Sequence, residues 1–352
     1  FVYLRDVDAG EFWSATLQPV RFAFDALATT FSNGSAHYTT THAGITSHLE
    51  IGIARHADME VRRLTLTNDD VRARRIEVTT YAEVVLNSPA ADAAHPAFSK
   101  LFVQTAYDEA RRALVAWRRL RSPDDRPLWF GHRLLSESAG PPLYETDRAR
   151  FLGRGRSPAG PCALTDDAPL TSTVGNVLDP MFALRRVVTL QPGQSATLCA
   201  VYAAASGARA LHRILDDVPD CSAAGALLAD TAPADADDVR LLGLPGEWLG
   251  NLDFDADWLA FGSAHAGGND GPDADAASPA TPTAGKLEPL RFFNGHGGFT
   301  ADGSEYVIRV PCDADGAHLP PQPWVNVVAN EPGGLFVSER GAAHTWSVNS
   351  RE

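Results

Sequence analysis

The sequence lacks the cysteine patterns of a disulfide-rich or zinc-binding protein. Its 352 residues contain four cysteines, at positions 162, 199, 221 and 312, and no two of them form a Cys-x-x-Cys pair. Such isolated cysteines indicate neither a disulfide framework nor a zinc site. We therefore expect reduced thiols in a cytosolic compartment, and no metal or other cofactor.

Long apolar runs and a positive net charge are also missing. No apolar run approaches the ~20 residues of a membrane-spanning helix, and no secretory signal pattern opens the chain. The formal net charge is −14, which argues against a nucleic-acid or membrane-surface binder and favours a neutral ligand such as a sugar. Because residue 1 is Phe rather than Met, we expect a longer parent chain.

Motifs of phosphate binding and serine hydrolysis are absent. The stretch ETDRARFLGRGR (145–156) places arginines beside Gly-x-Gly. It has neither the lysine of a phosphate loop nor the spacing of a dinucleotide-binding loop, and Pro158 and Pro161 argue against a following helix. We interpret it as a turn whose arginines pair with Glu145 and Asp147, with a ligand site as the alternative. No Gly-x-Ser-x-Gly elbow occurs.

Histidines at positions 37, 42, 48 and 56 are the remaining metal-ligand candidates. They fall on predicted strands and turns, with no helical i, i+4 pair and no adjacent glutamate. Structural or exposed histidines are the favoured interpretation. Paired carboxylates for glycoside chemistry cannot be assigned, since their separation is spatial.

Alternating apolar and polar residues dominate the first two hundred positions. HLEIGIARHADMEVRRLTLTND and RRIEVTTYAEVVL predict strands, and RRVVTLQPGQSATLCAVYAAA predicts a hairpin around Pro192-Gly193. One short helix is predicted from Ala208 to Leu215. This pattern favours an all-β fold, a large antiparallel β-sandwich with few short helices.

The composition divides the chain into three parts. Residues 1–220 form the β-rich body, and residues 221–286, rich in Ala, Asp and Gly, are predicted to be a low-complexity linker. Residues 287–352 contain three strand candidates, EYVIRV, PWVNVVAN and GLFVSERGAAHTWSV. NGHGGF (294–299) is predicted to be a tight turn at the start of a sheet.

Several motifs in series resemble one family. YLRDVDAGEFWS, AHPAFSKLFVQT, ETDRARFLGRGR and TVGNVLDPMFALRR resemble the β-sandwich of cyclic β-1,2-glucan synthases, in the glycoside hydrolase family 94 group. The C-terminal stretches FFNGHGGFTADGSEYVIRV, PWVNVVAN and GLFVSERGAAHTWSVNSRE resemble the start of a second copy. The resemblance covers residues 1 to about 220 and 287 to 352.

The resemblance implies a supersandwich fold similar to galactose mutarotase. It also implies a parent protein in the bacterial inner membrane, with this segment at the cytoplasmic face and not itself membrane-spanning. In such parents the catalytic residues lie in a helical barrel, and no stretch here resembles that barrel. The expected partners are that barrel and a β-glucan or oligosaccharide, and we expect no nucleic acid and no catalytic residue in this segment.

The first copy is expected to lack its opening strands, which residues 287–352 would supply by folding back onto residues 1–220. We then expect the stretch from Trp346 to Arg351 to end near Phe1 to Arg5. The rival outcome is an unpaired sheet edge that dimerises by strand exchange.

Three functions remain open: a carbohydrate-associated, non-catalytic domain, a small mutarotase-like epimerase, and a ligand-free structural fragment. The epimerase would need a histidine and a carboxylate near one sugar ring position, and His95 with Asp147 is the first pair to test. Aromatic rings stack on sugars but also fill sandwich cores. The candidate substrate-binding residues are His95, Asp147, Arg148, Arg154, Trp324, Trp346, Asn349 and Arg351.

Overall fold

The chain is built from antiparallel strands and a few short helices, which confirms the predicted all-β class. The computed structural model describes residues 1–32, 34–120, 127–137, 140–166, 169–230, 289–313, 316–321, 323–330 and 333–347. Two large sheets enclose a common hydrophobic core, and a three-stranded sheet from the C-terminal part contributes to the same core.

The strands follow in chain order. They are β1 (Val2–Asp6), β2 (Phe12–Ser14), β3 (Ala26–Ser32), β4 (Ser35–His42), β5 (Ile45–Ile53), β6 (Met59–Asn68), β7 (Arg74–Thr80), β8 (Ala82–Glu83), β9 (Val103–Asp108), β10 (Ala113–Arg118), β11 (Trp129–Ser136), β12 (Leu143–Asp147), β13 (Pro180–Leu190), β14 (Ser195–Ala205), β15 (Gly297–Phe299), β16 (Glu305–Arg309), β17 (Cys312–Asp313), β18 (Gly316–Ala317), β19 (Val325–Ala329), β20 (Gly333–Ser338) and β21 (Ala343–Ser347). The helices are α1 (Pro89–Ala94), α2 (Pro96–Lys100), α3 (Arg148–Leu152), α4 (Cys162–Thr165), α5 (Ala208–Asp216) and α6 (Cys221–Ala229).

The two large sheets have ten and six strands. The larger runs β15-β16-β3-β4-β5-β6-β14-β11-β10-β9, and the smaller runs β12-β13-β7-β1-β2, with β8 also paired to β13. Alternation along β5 shows how the sequence sets the inner face. Ile45, Leu49 and Ile51 are buried, whereas His48 between them is exposed. This period of two places every second side chain in the core.

The Pro192-Gly193 turn is present, but the predicted hairpin is wrong. β13 belongs to the six-stranded sheet and β14 to the ten-stranded sheet, so the chain crosses between layers at this turn. β6 and β7 make a second crossover beside it. The buried Asn68 joins the two, because its Nδ2 donates to the carbonyl oxygens of Leu190 (3.0 Å) and Arg72 (2.7 Å).

The C-terminal segment packs onto the N-terminal body. β16 extends the ten-stranded sheet by pairing with β3, where Ile308 lies opposite Thr29. Ile308, Leu335 and Val337 are fully buried in the core that the large sheets share. The Thr29 hydroxyl donates to the carbonyl oxygen of Glu339 (3.0 Å). The stretch 334–348, predicted as one strand candidate, contains two paired strands, β20 and β21.

Gly341 forms the turn between β20 and β21 and lies against the N-terminal part of the chain. It has a φ of +85°, and a Cβ atom built on it would lie 2.1 Å from the Thr16 hydroxyl oxygen. Only glycine allows both this backbone conformation and this approach. At the end of β21, the Ser347 hydroxyl donates to Asp58 (2.6 Å). The expected proximity of residues 348–351 to the first strand concerns residues outside those described.

Two helices cover part of the outer face of the ten-stranded sheet. α5 confirms the helix predicted at 208–215, and its Leu211 and Leu215 pack over Gly131 of β11. α6 occupies the first nine residues of the predicted linker, and its Ala224 and Leu228 are buried in the same outer cluster. Residues 231–288, which include the rest of that linker, lie outside the described residues. NGHGGF forms the predicted turn, with the Asn294 side chain accepting from the His296 and Gly297 amides.

Candidate functional site

A cluster of charged side chains lies at one edge of the six-stranded sheet. We call Tyr81, Glu83, Lys100, Arg148 and Asp179 the Arg148 cluster. Arg148 Nε lies 2.8 Å from Glu83 Oε1 and 3.0 Å from the Tyr81 hydroxyl. Its Nη1 lies 3.2 Å from Asp179 Oδ2, and Lys100 Nζ lies 2.6 Å from Asp179 Oδ1. Five side chains from separate parts of the chain thus form one continuous network.

The end of β12 positions Arg148 in this cluster. Asp147 caps α3 by accepting a hydrogen bond from the Ala149 amide (2.9 Å), which is a favourable N-cap interaction. Glu145 is buried, and its carboxylate accepts from the amides of Thr146 and Asp147 (both 2.9 Å) and from Thr171. The expected pairing of Glu145 with arginines is therefore wrong. Instead, its carboxylate fixes the backbone from which α3 begins.

Three further arginines follow in the motif. Arg150 lies 3.7 Å from Asp147 Oδ2, which agrees with the expected pairing of Asp147. Arg156 pairs with Asp166 (2.9 Å) on the segment after α4. Arg154 is exposed and has no hydrogen-bond or ion-pair partner among the described residues. The expected turn is thus a short helix followed by a loop that presents one unpaired guanidinium.

The Arg148 cluster combines donors and acceptors with no net formal charge. Its four charged side chains are partly exposed, from 17% for Lys100 to 41% for Glu83, whereas Tyr81 is buried. Burial raises the pKa of the Tyr81 hydroxyl. Burial lowers the pKa of Arg148, but the neighbouring Tyr81 and Glu83 raise it by more than burial lowers it, so the net shift is upward. Tyr81 and Arg148 therefore keep their protons near neutral pH, and the cluster can orient hydroxyl groups of a ligand through hydrogen bonds.

The other candidate residues lie elsewhere. His95 is exposed at the junction of α1 and α2, and no hydrogen bond or ion pair joins it to Asp147 in the described chain. Trp324 stacks on Tyr306 with ring centroids 4.6 Å apart and packs against the main core. Trp346 lies on β21 against Gly334. Asn349 and Arg351 are outside the described residues.

The sequence patterns missed a buried polar group between the two large sheets. His132 of β11 is fully buried and stacks on Tyr202, with ring centroids 4.1 Å apart. Its ring nitrogens lie 2.7 Å from the Thr80 hydroxyl and 3.0 Å from the Val201 carbonyl oxygen. Burial lowers the pKa of His132 to about 3. Strand alternation, which places His132 on the face of Phe130 and Leu134, is the signal that could have revealed it.

The histidines considered as metal ligands make other contacts. His37 bonds to Ser35 (2.8 Å), His48 to Thr39 (3.0 Å) and His42 to Glu11 (3.0 Å). No group of three or more His, Cys, Asp or Glu side chains is arranged to hold a metal ion in the described segments.

The sequence was compared with protein families and with curated proteins. The supersandwich domain of glycosyl hydrolase 94 matches residues 1–220 and 304–352. The chain belongs to this family. The match includes the Arg148 cluster and strands β16 to β21. It confirms the family resemblance that the sequence motifs indicated.

Three relatives of this supersandwich chain illustrate the range of the family. It is 38% identical over 221 residues to the cyclic beta-(1,2)-glucan synthase NdvB of Rhizobium meliloti. The matched region covers 61% of this chain and 8% of that protein. It is 26% identical to a solabiose phosphorylase from Paenibacillus borealis, over 61% of this chain and 27% of that protein. It is also 26% identical to an N,N'-diacetylchitobiose phosphorylase from Vibrio proteolyticus, over 55% of this chain and 24% of that protein.

The chain therefore spans between a twelfth and about a quarter of the length of these relatives. The matched part is the supersandwich and not the whole protein. Within the described residues, no helix has the length and apolar character needed to cross a bilayer.

Proposed function

We propose that this chain is the non-catalytic supersandwich segment of a cyclic β-1,2-glucan synthase, which supports a helical-barrel catalytic domain and contacts the glucan. The observation that carries the proposal is the 38% identity to NdvB over 221 residues. The parent chain would then act at the cytoplasmic face of a bacterial inner membrane. Chemistry would be left to the barrel, and the supersandwich would bind and position the polymer.

The Arg148 cluster is the surface that we propose for glucan contact. Its carboxylates and cations already hold each other, so binding would not require a charge to be neutralised. A neutral polyhydroxyl chain offers both donors and acceptors, which matches the mixed cluster better than an anion or a cation would. Arg154, on the loop after α3, supplies further unpaired donors.

Titration calorimetry with β-1,2-glucan oligosaccharides tests this proposal, with β-1,4-linked oligosaccharides as the control ligand. Glu83→Ala and Arg154→Ala are each expected to weaken binding about tenfold, the effect of losing one hydrogen bond to a charged group. Arg72→Ala is the matched control, because this arginine is 76% exposed on the β6–β7 crossover. Equal losses of affinity in all three variants would show that the Arg148 cluster is not the binding site. If the unmodified chain binds no glucan, the segment is a ligand-free structural one.

Tryptophan fluorescence in the same titration separates the cluster from the C-terminal aromatic candidates. If Trp324 contacts the glucan, Trp324→Phe should lose the fluorescence change together with affinity. If the Arg148 cluster binds it, calorimetric affinity should survive this substitution. The epimerase alternative is tested by an anomer-interconversion assay, for which His95→Ala is the matching variant.

Support of the barrel is tested by co-purification. The helical-barrel domain of a cyclic β-1,2-glucan synthase, expressed separately, is expected to bind this chain in the absence of glucan. If the barrel is not captured but glucan still binds, the supporting role is excluded and only the glucan contact remains.

A further inference from the structure

Two of the four cysteines meet beneath α6. Cys199 lies on β14 and is fully buried, whereas Cys221 is the first residue of α6 and is partly exposed. Cys199 Sγ lies 3.8 Å from the Cys221 carbonyl oxygen. Cys221 Sγ lies 3.5 Å from the Leu135 carbonyl oxygen and 3.9 Å from that of Thr197. Leu135 is the strand partner of Cys199, so the Cys221 sulfur lies over the position of the sheet that Cys199 occupies.

The other two cysteines have different surroundings. Cys162 lies on α4 and contacts the carbonyl oxygens of Arg150 (3.2 Å) and Phe151 (3.3 Å). Cys312 lies on β17, 3.7 Å from the Val310 carbonyl oxygen. Both lie on elements other than β14 and α6, which carry the pair. They therefore serve as internal controls for the reactivity of the pair.

The environment gives the pair two distinct roles. The neighbouring Cys199 thiol lowers the pKa of Cys221, whereas Cys221 and burial raise the pKa of Cys199. The thiolate is the reactive form of cysteine. Cys221 is thus the sulfur that a small oxidant in solution reaches first and that reacts with it. Cys199, buried against it, is placed to react only with Cys221.

We propose that Cys199 and Cys221 form a reversible disulfide when the protein meets a peroxide. The Cys221 thiolate attacks one peroxide oxygen, the O–O bond breaks, and the hydroxide released takes up a proton to become water. This leaves Cys221 as a sulfenic acid. The Cys199 sulfur then attacks the Cys221 sulfur, the S–O bond breaks and a second water leaves. Two thiols are oxidised to one disulfide, and one hydrogen peroxide is reduced to two waters.

The bond would join α6 covalently to β14. α6 is otherwise held by a small apolar face, including Ala224 and Leu228, and its next residues after Asp230 lie outside those described. The bridged cysteines are 22 positions apart along the chain, so the bond closes a short loop. Closing a loop removes conformations from the unfolded chain, and oxidation should therefore raise the melting temperature. This site does not depend on the proposed glucan contact.

The test is oxidation of the full chain with hydrogen peroxide, followed by alkylation of the remaining thiols and peptide mapping. The expected result is a linked Cys199–Cys221 peptide, two alkylated cysteines at 162 and 312, and full reversal by dithiothreitol. The double variant Cys162→Ser/Cys312→Ser should form the same bond at the same rate. Alkylation of all four cysteines after peroxide treatment, or random pairing among them, would overturn the proposal.

A variant that lacks the resolving thiol provides a second, independent test. In Cys199→Ser the resolving thiol is missing but a hydroxyl donor remains beside Cys221, so the sulfenic acid at Cys221 should accumulate and be trapped by dimedone. Its dimedone labelling should exceed that of Cys162 several-fold in the same sample. Labelling of Cys162 and Cys221 to the same extent would show that Cys221 is not the reactive sulfur.

Discussion

His132 shows how one buried side chain links the two sheets. The Val201 carbonyl oxygen can only accept, so His132 Nδ1 carries the proton and donates to it. Nε2 then accepts from the Thr80 hydroxyl of the opposite sheet. Thr80 in turn accepts from the Leu184 amide (3.0 Å). The neutral ring thus satisfies its polar atoms between two layers, and a second proton would break this arrangement.

The pH dependence of stability follows from this burial. The pKa of His132 falls from 6.5 to about 3 on folding, so the unfolded chain binds one more proton between these values. Stability contributed by neutral His132 is complete above pH 6.5 and declines as the pH falls, by about 1.4 kcal/mol per pH unit. Urea denaturation from pH 7 to 5 should show this slope in the difference between the unmodified chain and His132→Asn.

His132→Asn keeps a donor for Val201 and removes the titration. If the two chains lose stability in parallel between pH 6.5 and 5, His132 is protonated in the folded state and this assignment fails.

At the scale of elements, β16 protects an edge of the ten-stranded sheet. Without it, β3 would present a row of unpaired amides and carbonyls, a common route to aggregation. β16 pairs along the whole of its length, and its inner residues Tyr306 and Ile308 face the core beside Phe31 and Thr29. β15, the strand outside it, has three residues, two of them glycine. The sheet thus ends in a short strand.

Two neighbouring positions on β16 test its packing. Ile308→Ala should reduce the free energy of unfolding by about 2–5 kcal/mol, because it leaves a cavity in the shared core. Val307→Ala, the matched control on the opposite face, should cost about 1 kcal/mol or less. Denaturant titration measures both. Similar costs for the two variants would show that β16 is not seated in the core.

Local sequence patterns predicted individual elements better than their partners. The strand at 305–309 and the helix at 208–216 follow from alternation and helical spacing. The hairpin at 185–205 failed because a Pro-Gly turn specifies that the chain reverses and not which sheet each strand joins. The two crossovers are tied together by Asn68 at the end of β6, which bonds to Leu190, 122 positions away. Such a contact leaves no local signal in the sequence.

The candidate site shows the same limit. The motif indicated Asp147 and Arg148, but the partners of Arg148 at Glu83 and Asp179 are 65 and 31 positions away. Pairing with Glu145 looked natural because it is close in sequence. Burial reversed this expectation, since a buried carboxylate surrounded by backbone amides needs no cation.

At the scale of the whole molecule, one core is assembled from both ends of the chain. Residues of β1, β5, β13, β16 and β20 belong to a single buried cluster. Contacts such as Gln18 N to Arg340 O (2.8 Å) add hydrogen bonds between the two parts. We therefore expect the N-terminal body and the C-terminal segment to behave as one unit of folding.

Cleavage between the two parts tests that unity. A protease site inserted between residues 231 and 288 would allow the backbone to be cut after folding. The two fragments should co-elute in size-exclusion chromatography and separate only in denaturant. The uncut chain provides the reference elution volume. Separation under native conditions would contradict a shared core.

The pairing of β3 with β16 also imposes an order on biosynthesis. Thr29 of β3 and its strand partner Ile308 of β16 lie far apart along the chain, so β3 leaves the ribosome long before β16 is made. Until β16 is made, the nascent chain carries an unpaired edge at β3, and such an edge is prone to aggregation.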